Sequence, residues 1–283
     1  MKIKLSFLLA LTTMTAGITR ADDSQTAARK IFEARKDCVV HVSAIAKTSF
    51  TADSSGDAPV NVPDQENKVE ALGTVIDPTG LIVTVLGQLD PGRMVSGRSV
   101  RTKQGVIKIE AASVLKEIKV IMPDGTEIPA EILMKDTDLN LAFLRIKTAS
   151  KEAKGVTIHS LNLSDNAKGA IMDDVVTLSR LDEALNRAPN ISRGEISAII
   201  KKPRTLIRAT GGMGGCPTFL LNGKILGITT ARNQPGATTS HAVIIPAADI
   251  LEIAEQAKNS KPEKTESAKA ESAATQADSS KEN

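Results

Sequence analysis

Residues able to carry nucleophilic, acid–base or metal chemistry are scarce in this sequence. There are two cysteines, Cys38 and Cys216, and three histidines, His41, His159 and His241. No Cys or His pair has zinc-ligand spacing, and the run Gly211-Gly212-Met213-Gly214-Gly215 lacks the Gly-Lys-Ser/Thr that completes a phosphate-binding loop. The paired carboxylates Asp22-Asp23 and Asp173-Asp174 are adjacent in sequence, so on a strand they point to opposite faces and surface solvation accounts for them. No metal or cofactor site is legible. The alternation Val40-His41-Val42 marks His41 as an ordinary strand-face residue, and His159 falls in a polar connecting stretch. From spacing alone the two cysteines fit one intrachain bridge and two buried free thiols equally well.

The elements that would position such residues follow from length and pattern. At 283 residues the chain is long enough for one large all-β unit or two small domains with a sizeable core. It holds no Trp, no Tyr and five Phe, so that core must be Val, Ile, Leu, Ala and Met, and base stacking on aromatic platforms is nearly ruled out. Residues 1–21 carry Lys2, Lys4 and Arg20, a short apolar run from Leu5 to Leu11 and a small-residue end at Ala21, the layout of a secretory signal peptide. Without them 33 basic residues face 33 acidic ones, and a neutral chain lacks the positive field that nucleic acid requires. The expectation is an exported protein, periplasmic or secreted, with no integral membrane segment and no nucleic-acid partner. Residues 257–283 contain no Val, Leu, Ile, Met or aromatic side chain and read as a disordered tail rich in Lys, Glu, Ala and Ser.

Between those ends the pattern is mostly strand. Ser24 is placed to cap a helix with Ala27, Ile31 and Ala34 on one face. Short β-branched runs follow, including Val39 to Ile45, Ala71 to Asp77, Leu81 to Leu86, Glu127 to Met134, Leu141 to Ile146, Gly194 to Ile200 and Lys224 to Thr230. Turn signals such as Pro78-Thr79-Gly80 and Asn222-Gly223 separate them, which argues for antiparallel barrels or a sandwich. Residues 51–68 and the basic stretch 90–105 read as loops. Pro246 to Ala257 reads as a closing amphipathic helix.

Five segments, in order, resemble the trypsin-like serine proteases of the HtrA/Deg type. They are GTVIDPTGLIVTVLGQLD (73–90), MPDGTEIPAEILMKDTDLNLAFLRI (122–146), ISRGEISAI (191–199), GGMGGCPTFLLNGKILGI (211–228) and SHAVIIPAADI (240–250). The resemblance implies an all-β fold, the chymotrypsin-like double six-stranded β-barrel with short terminal helices. It would occupy residues 22–256, with a boundary between barrels near 150–160 and no PDZ module.

At the three positions where that family carries its chemistry, this chain departs from it. The catalytic His stands seven places after the turn glycine, and seven after Gly80 is Gly87. The catalytic Asp precedes a Leu-Ala-x-Leu strand, and here Asn140 precedes Leu141. The nucleophile of Gly-Asn-Ser-Gly-Gly-Pro falls on Gly214. Such a chain has no Oγ to attack, no imidazole to take the proton and no carboxylate to orient it. What the resemblance leaves is a backbone oxyanion hole at the Gly212 and Gly214 amides and a pocket wall at Ser240, His241 and Ala242. The implied function is that of a non-catalytic protease homologue binding peptide or protein segments as scaffold, chaperone-like factor or regulator. Homo-oligomers, common in the family, remain open. The alternative is a hydrolase with Cys216 as replacement nucleophile and His241 as its base. The resemblance also brings Cys38 toward Cys216 at the seam between barrels, where a disulfide would stabilise by roughly 5 kcal/mol on chain entropy alone.

Overall fold

The apolar face of Ala27, Ile31 and Ala34 does form a helix. In the computed structural model, which describes residues 23–54, 62–102, 105–233 and 240–262, residues 23–35 are helical (α1). Ile31 is buried, and Ala28 and Phe32 pack against the same core. The helix already includes Asp23, so Ser24 lies in its first turn, where its Oγ accepts from the Arg193 guanidinium at 3.1 Å.

Seven strands follow: β1 (Val39–Ser54), β2 (Val62–Asp77), β3 (Leu81–Val85), β4 (Arg98–Thr102), β5 (Gly105–Ile121), β6 (Glu127–Asp136) and β7 (Leu141–Ile146). They lie in the order β1-β2-β3-β7-β6-β5, closed by pairing of β1 with β5, with β4 added outside β5. The second group, β8 (Asp174–Arg180), β9 (Pro189–Ile200), β10 (Leu206–Ala209), β11 (Pro217–Leu220), β12 (Ile225–Asn233) and β13 (Ser240–Pro246), closes in the order β10-β13-β12-β11-β8-β9. Two closed six-stranded antiparallel barrels therefore meet the double-barrel expectation. Two short helices, α2 (Leu86–Leu89) and α3 (Pro91–Val95), follow β3, and α4 (Ala247–Lys258) closes the described chain.

The two stretches read as loops contain regular structure. β1 runs on to Ser54, β2 starts at Val62, and 90–105 contains α3 and β4. Beyond the barrel these strands form an arm with little core to cover, so residues 63–68 are exposed and no hydrophobic alternation marks them. Positive φ at Glu117 coincides with a register slip between β1 and β5, a bulge where the arm leaves the barrel wall.

Apolar packing is divided among three clusters. Val40, Val42, Val75, Ile82, Val120 and Leu144 fill the first barrel, and Val175, Ile196, Ile207, Leu226 and Ile244 fill the second. The largest lies between them and under α1 and α4, built from Leu81, Phe143, Leu178, Phe219, Ile245 and Ile250 among others. Two buried polar bonds cross the same seam: Thr74 Oγ1 donates to Gly215 O at 2.7 Å, and Arg180 Nε donates to Val39 O at 2.7 Å.

Gly215 shows how closely the barrels approach. Its φ is +79°, and a Cβ there would stand 1.9 Å from Leu72 O. Gly223, in the β11–β12 turn, has φ +85° but open space around it. Gly223→Ala should cost about 1 kcal/mol, the left-handed penalty alone. Gly215→Ala should cost at least about 3 kcal/mol, because backbone must move as well. Urea unfolding of both variants separates the two, and equal losses would refute the close approach.

Candidate functional site

Gly87, Asn140 and Gly214 come together although they lie on different elements. Gly87 is in the single turn of α2, and its amide donates to Asn140 Oδ1 at 2.8 Å. Asn140, at the entry to β7, holds φ +57°, a left-handed conformation that Asn tolerates better than most residues. Its Nδ2 donates to Ala231 O on β12 at 2.8 Å. Thr230 Oγ1 donates to Leu139 O at 3.0 Å and Asn140 O at 3.2 Å. A Cβ on Gly214 would lie 3.2 Å from Gln88 Nε2, within α2, and 3.2 Å from Val85 Cγ2, just before it.

The loop carrying Gly214 is held on every side. Gly215 N donates to Thr229 O at 2.8 Å, Cys216 N to Met213 O at 3.1 Å, and Thr229 N to Cys216 O at 3.0 Å. Among the described residues, the Gly212 and Gly214 amides donate to no protein acceptor. Neither Gly87 nor Gly214 has positive φ, so the backbone at both positions suits a residue with a side chain.

Ser240, His241 and Ala242 are exposed at the start of β13, where Ala242 pairs with Ala231 and His241 with Arg232. The structure does not unite Cys216 with His241. Cys216 is fully buried, and its carbonyl binds Thr229, whose partner Ile244 lies three residues from His241, roughly 10 Å along the strand. Burial pushes the Cys216 thiol up, and the Cys38 thiol up to about 12, so neither is a thiolate at neutral pH. Both cysteines are thiols here and share one apolar cluster. Residues 1–21 and most of the 257–283 tail lie outside the described residues.

The family model for the trypsin-like peptidase domain matches residues 71–228. The chain belongs to the trypsin-like peptidase family. The probable periplasmic serine endoprotease DegP-like of Bartonella henselae is 29% identical over 147 residues, which are 48% of this chain and 27% of that protein. The chain thus matches about a quarter of that relative's length. Among solved structures, the serine endoprotease from Yersinia pestis shares the fold at 16% identity and TM-score 0.50, covering 81% of this chain and 66% of that one. The MamO protease domain of Magnetospirillum magneticum aligns at 15% identity and TM-score 0.46 over 78% of this chain and 97% of its own. No described helix of this family member is long and apolar enough to cross a membrane.

One group escaped the sequence reading. His41 is only 4% exposed, and its Nδ1 stands 2.6 Å from Glu70 Oε1. Glu70 in turn receives Arg187 through Nε at 3.2 Å and NH2 at 3.3 Å. Burial works against the Glu70 charge, but the Arg187 hydrogen bonds and the charges of His41, Arg187 and Lys68 hold its carboxyl below the usual range. For His41, burial pushes the pKa down; Glu70 opposes this, and Arg187 and Arg180 add to it. Glu70 and Arg187 are remote from His41 in sequence, so only strand register could reveal the group.

A depressed folded-state pKa means that the unfolded chain binds the His41 proton first. Stability contributed by neutral His41 is present above the unfolded pKa, near 6.5, and is lost as pH falls through and below it. Urea midpoints from pH 7.5 to 5 should fall in the native protein and fall less in His41→Gln. Parallel slopes in the two proteins would show that His41 does not titrate this way.

Proposed function

We propose that this chain is an exported, non-catalytic member of the trypsin-like peptidase family whose cleft binds extended polypeptide without cutting it, as scaffold, chaperone-like factor or regulator. The observation that carries this reading is the nearness of Gly87, Asn140 and Gly214 in this family member, with no nucleophile, base or carboxylate among them. Removing a serine-protease triad costs roughly a million-fold in turnover. The unclaimed Gly212 and Gly214 amides support retained binding of a carbonyl oxygen, and strand addition is the mode such a cleft offers.

Purified protein should leave fluorescent casein uncut, and Gly87→His/Gly214→Ser should cut it measurably. Adding Asn140→Asp sets a carboxylate against Ala231 O in place of an amide donor, so the triple variant should be less stable than the double. Casein cleavage by the native chain that survives repurification would overturn the reading.

Export makes a separate prediction for the cysteines. Cys38 adjoins Val39, Val39 pairs with Thr74, and Thr74 binds Gly215, the neighbour of Cys216. In an oxidising compartment the two thiols should pass two electrons and two protons to a disulfide oxidant, which leaves as a dithiol, and join. Protein recovered from a periplasm, denatured without reductant, should then offer no thiol to iodoacetamide, whereas cytoplasmic protein should offer two. Two alkylated thiols in periplasmic protein would remove the bridge.

A further inference from the structure

The basic stretch 90–105 contains β4, which forms an outer margin of the arm. Its residues pair with β5, from Arg98 against Ile109 to Thr102 against Gly105, and β5 is its one neighbour in the sheet among the described residues. No backbone hydrogen bond of 98–102 goes elsewhere among those residues. Alternate N–H and C=O groups of β4 therefore face away from β5 with no protein partner there, the arrangement that accepts a further strand.

The same strand carries charge without a counter-ion. Arg98, Ser99 and Arg101 are exposed, and neither arginine has an ion pair or hydrogen bond from its side chain among the described residues. The β5 carboxylate Glu110, one residue past the Arg98–Ile109 pair, is engaged by Lys108 Nζ at 2.7 Å and Ser96 Oγ at 2.8 Å. Arg93, earlier in the basic stretch, is committed to Thr137 O. Successive strand residues face opposite ways, so Arg98 and Arg101, three apart, stand on opposite faces of the arm at the same free edge. A second copy of β4 does not suit that edge, because the pair would gather four arginines and no carboxylate. Cationic side chains on an edge deter strands like themselves. They attract an acidic one.

We propose that the outer edge of β4 docks an extended acidic segment of a partner protein, which adds as a further strand and sets one carboxylate opposite Arg98 and another opposite Arg101. Directly opposed residues on paired strands have Cβ atoms about 5 Å apart, within reach of a guanidinium–carboxylate pair. The spacing of the arginines fixes the motif: the two acids must also be three residues apart. Acids two apart project to one face and reach only one of the arginines. The edge belongs to the arm and uses none of Gly87, Asn140, Gly212 or Gly214, so it stands independently of the reading given to the cleft.

Three hexapeptides test it with the native protein at pH 7 and low salt. They are acetyl-Thr-Glu-Val-Thr-Glu-Val-amide, its counterpart with Gln for both Glu, and acetyl-Thr-Glu-Val-Glu-Thr-Val-amide, which has the same composition with the acids two apart. Binding is read as the slowing of amide hydrogen exchange in the fragment that contains β4, followed against peptide concentration by mass spectrometry. The first peptide should slow exchange saturably. The Gln peptide should need about fivefold more for half-saturation, the effect of two exposed ion pairs, and the peptide with acids two apart should fall between them. Raising the salt to 0.5 M should erase the preference for acid. Arg98→Ala/Arg101→Ala, at two exposed side chains that support no described contact, should also erase it while leaving the Gln peptide unchanged. No slowing at β4 with millimolar acidic peptide overturns the docking edge, as does equal half-saturation by the Glu and Gln peptides. Equal binding of the two acidic peptides overturns the strand register and with it the proposal, since unordered attraction to charge ignores spacing. An acid preference that survives the double alanine variant overturns it as well.

Discussion

The Asn140 side chain ties the site together. Its Oδ1 accepts from the Gly87 amide on α2 in the first barrel, and its Nδ2 donates to Ala231 O on β12 in the second. A carboxylate could make the first bond but not the second, since it has no proton to give and would face a carbonyl oxygen at hydrogen-bond distance. Asn140 is therefore a structural cross-link between barrels, and its left-handed backbone is one that Asn accommodates at modest cost.

Around that cross-link the site is assembled by close backbone approach. Gly215 lies against Leu72 O, and the loop of residues 211–216 is pinned to β12 by Thr229 and to β2 by Thr74. Those bonds hold the loop whether or not a nucleophile stands on it. None of these contacts uses a side chain at position 87 or 214. The Gly212 and Gly214 amides on that loop have no protein acceptor among the described residues.

The His41 group adds a second kind of polarity to the same cleft. Glu70 is shared between the His41 imidazole and the Arg187 guanidinium, and His41 Nε2 is buried with no hydrogen-bond partner among the described residues.

Much of this was legible in the residues themselves. The double barrel and the short terminal helices could be read because hydrophobic alternation and turn glycines are local, and because Gly80, Leu141-Ala142-Phe143-Leu144 and the 211–217 run keep their spacing. The arm of β1, β2 and β5 was not legible, since strands with two exposed faces carry no apolar period. Nor was the separation of Cys216 from His241, or the meeting of His41 with Glu70 and Arg187. Sequence by itself determined which reactive groups are present and which are missing, because side-chain chemistry is fixed residue by residue. Only the tertiary structure decided which of them are buried, paired or left with an unmet hydrogen bond, because those properties arise from registers and barrel packing that join residues far apart in the chain.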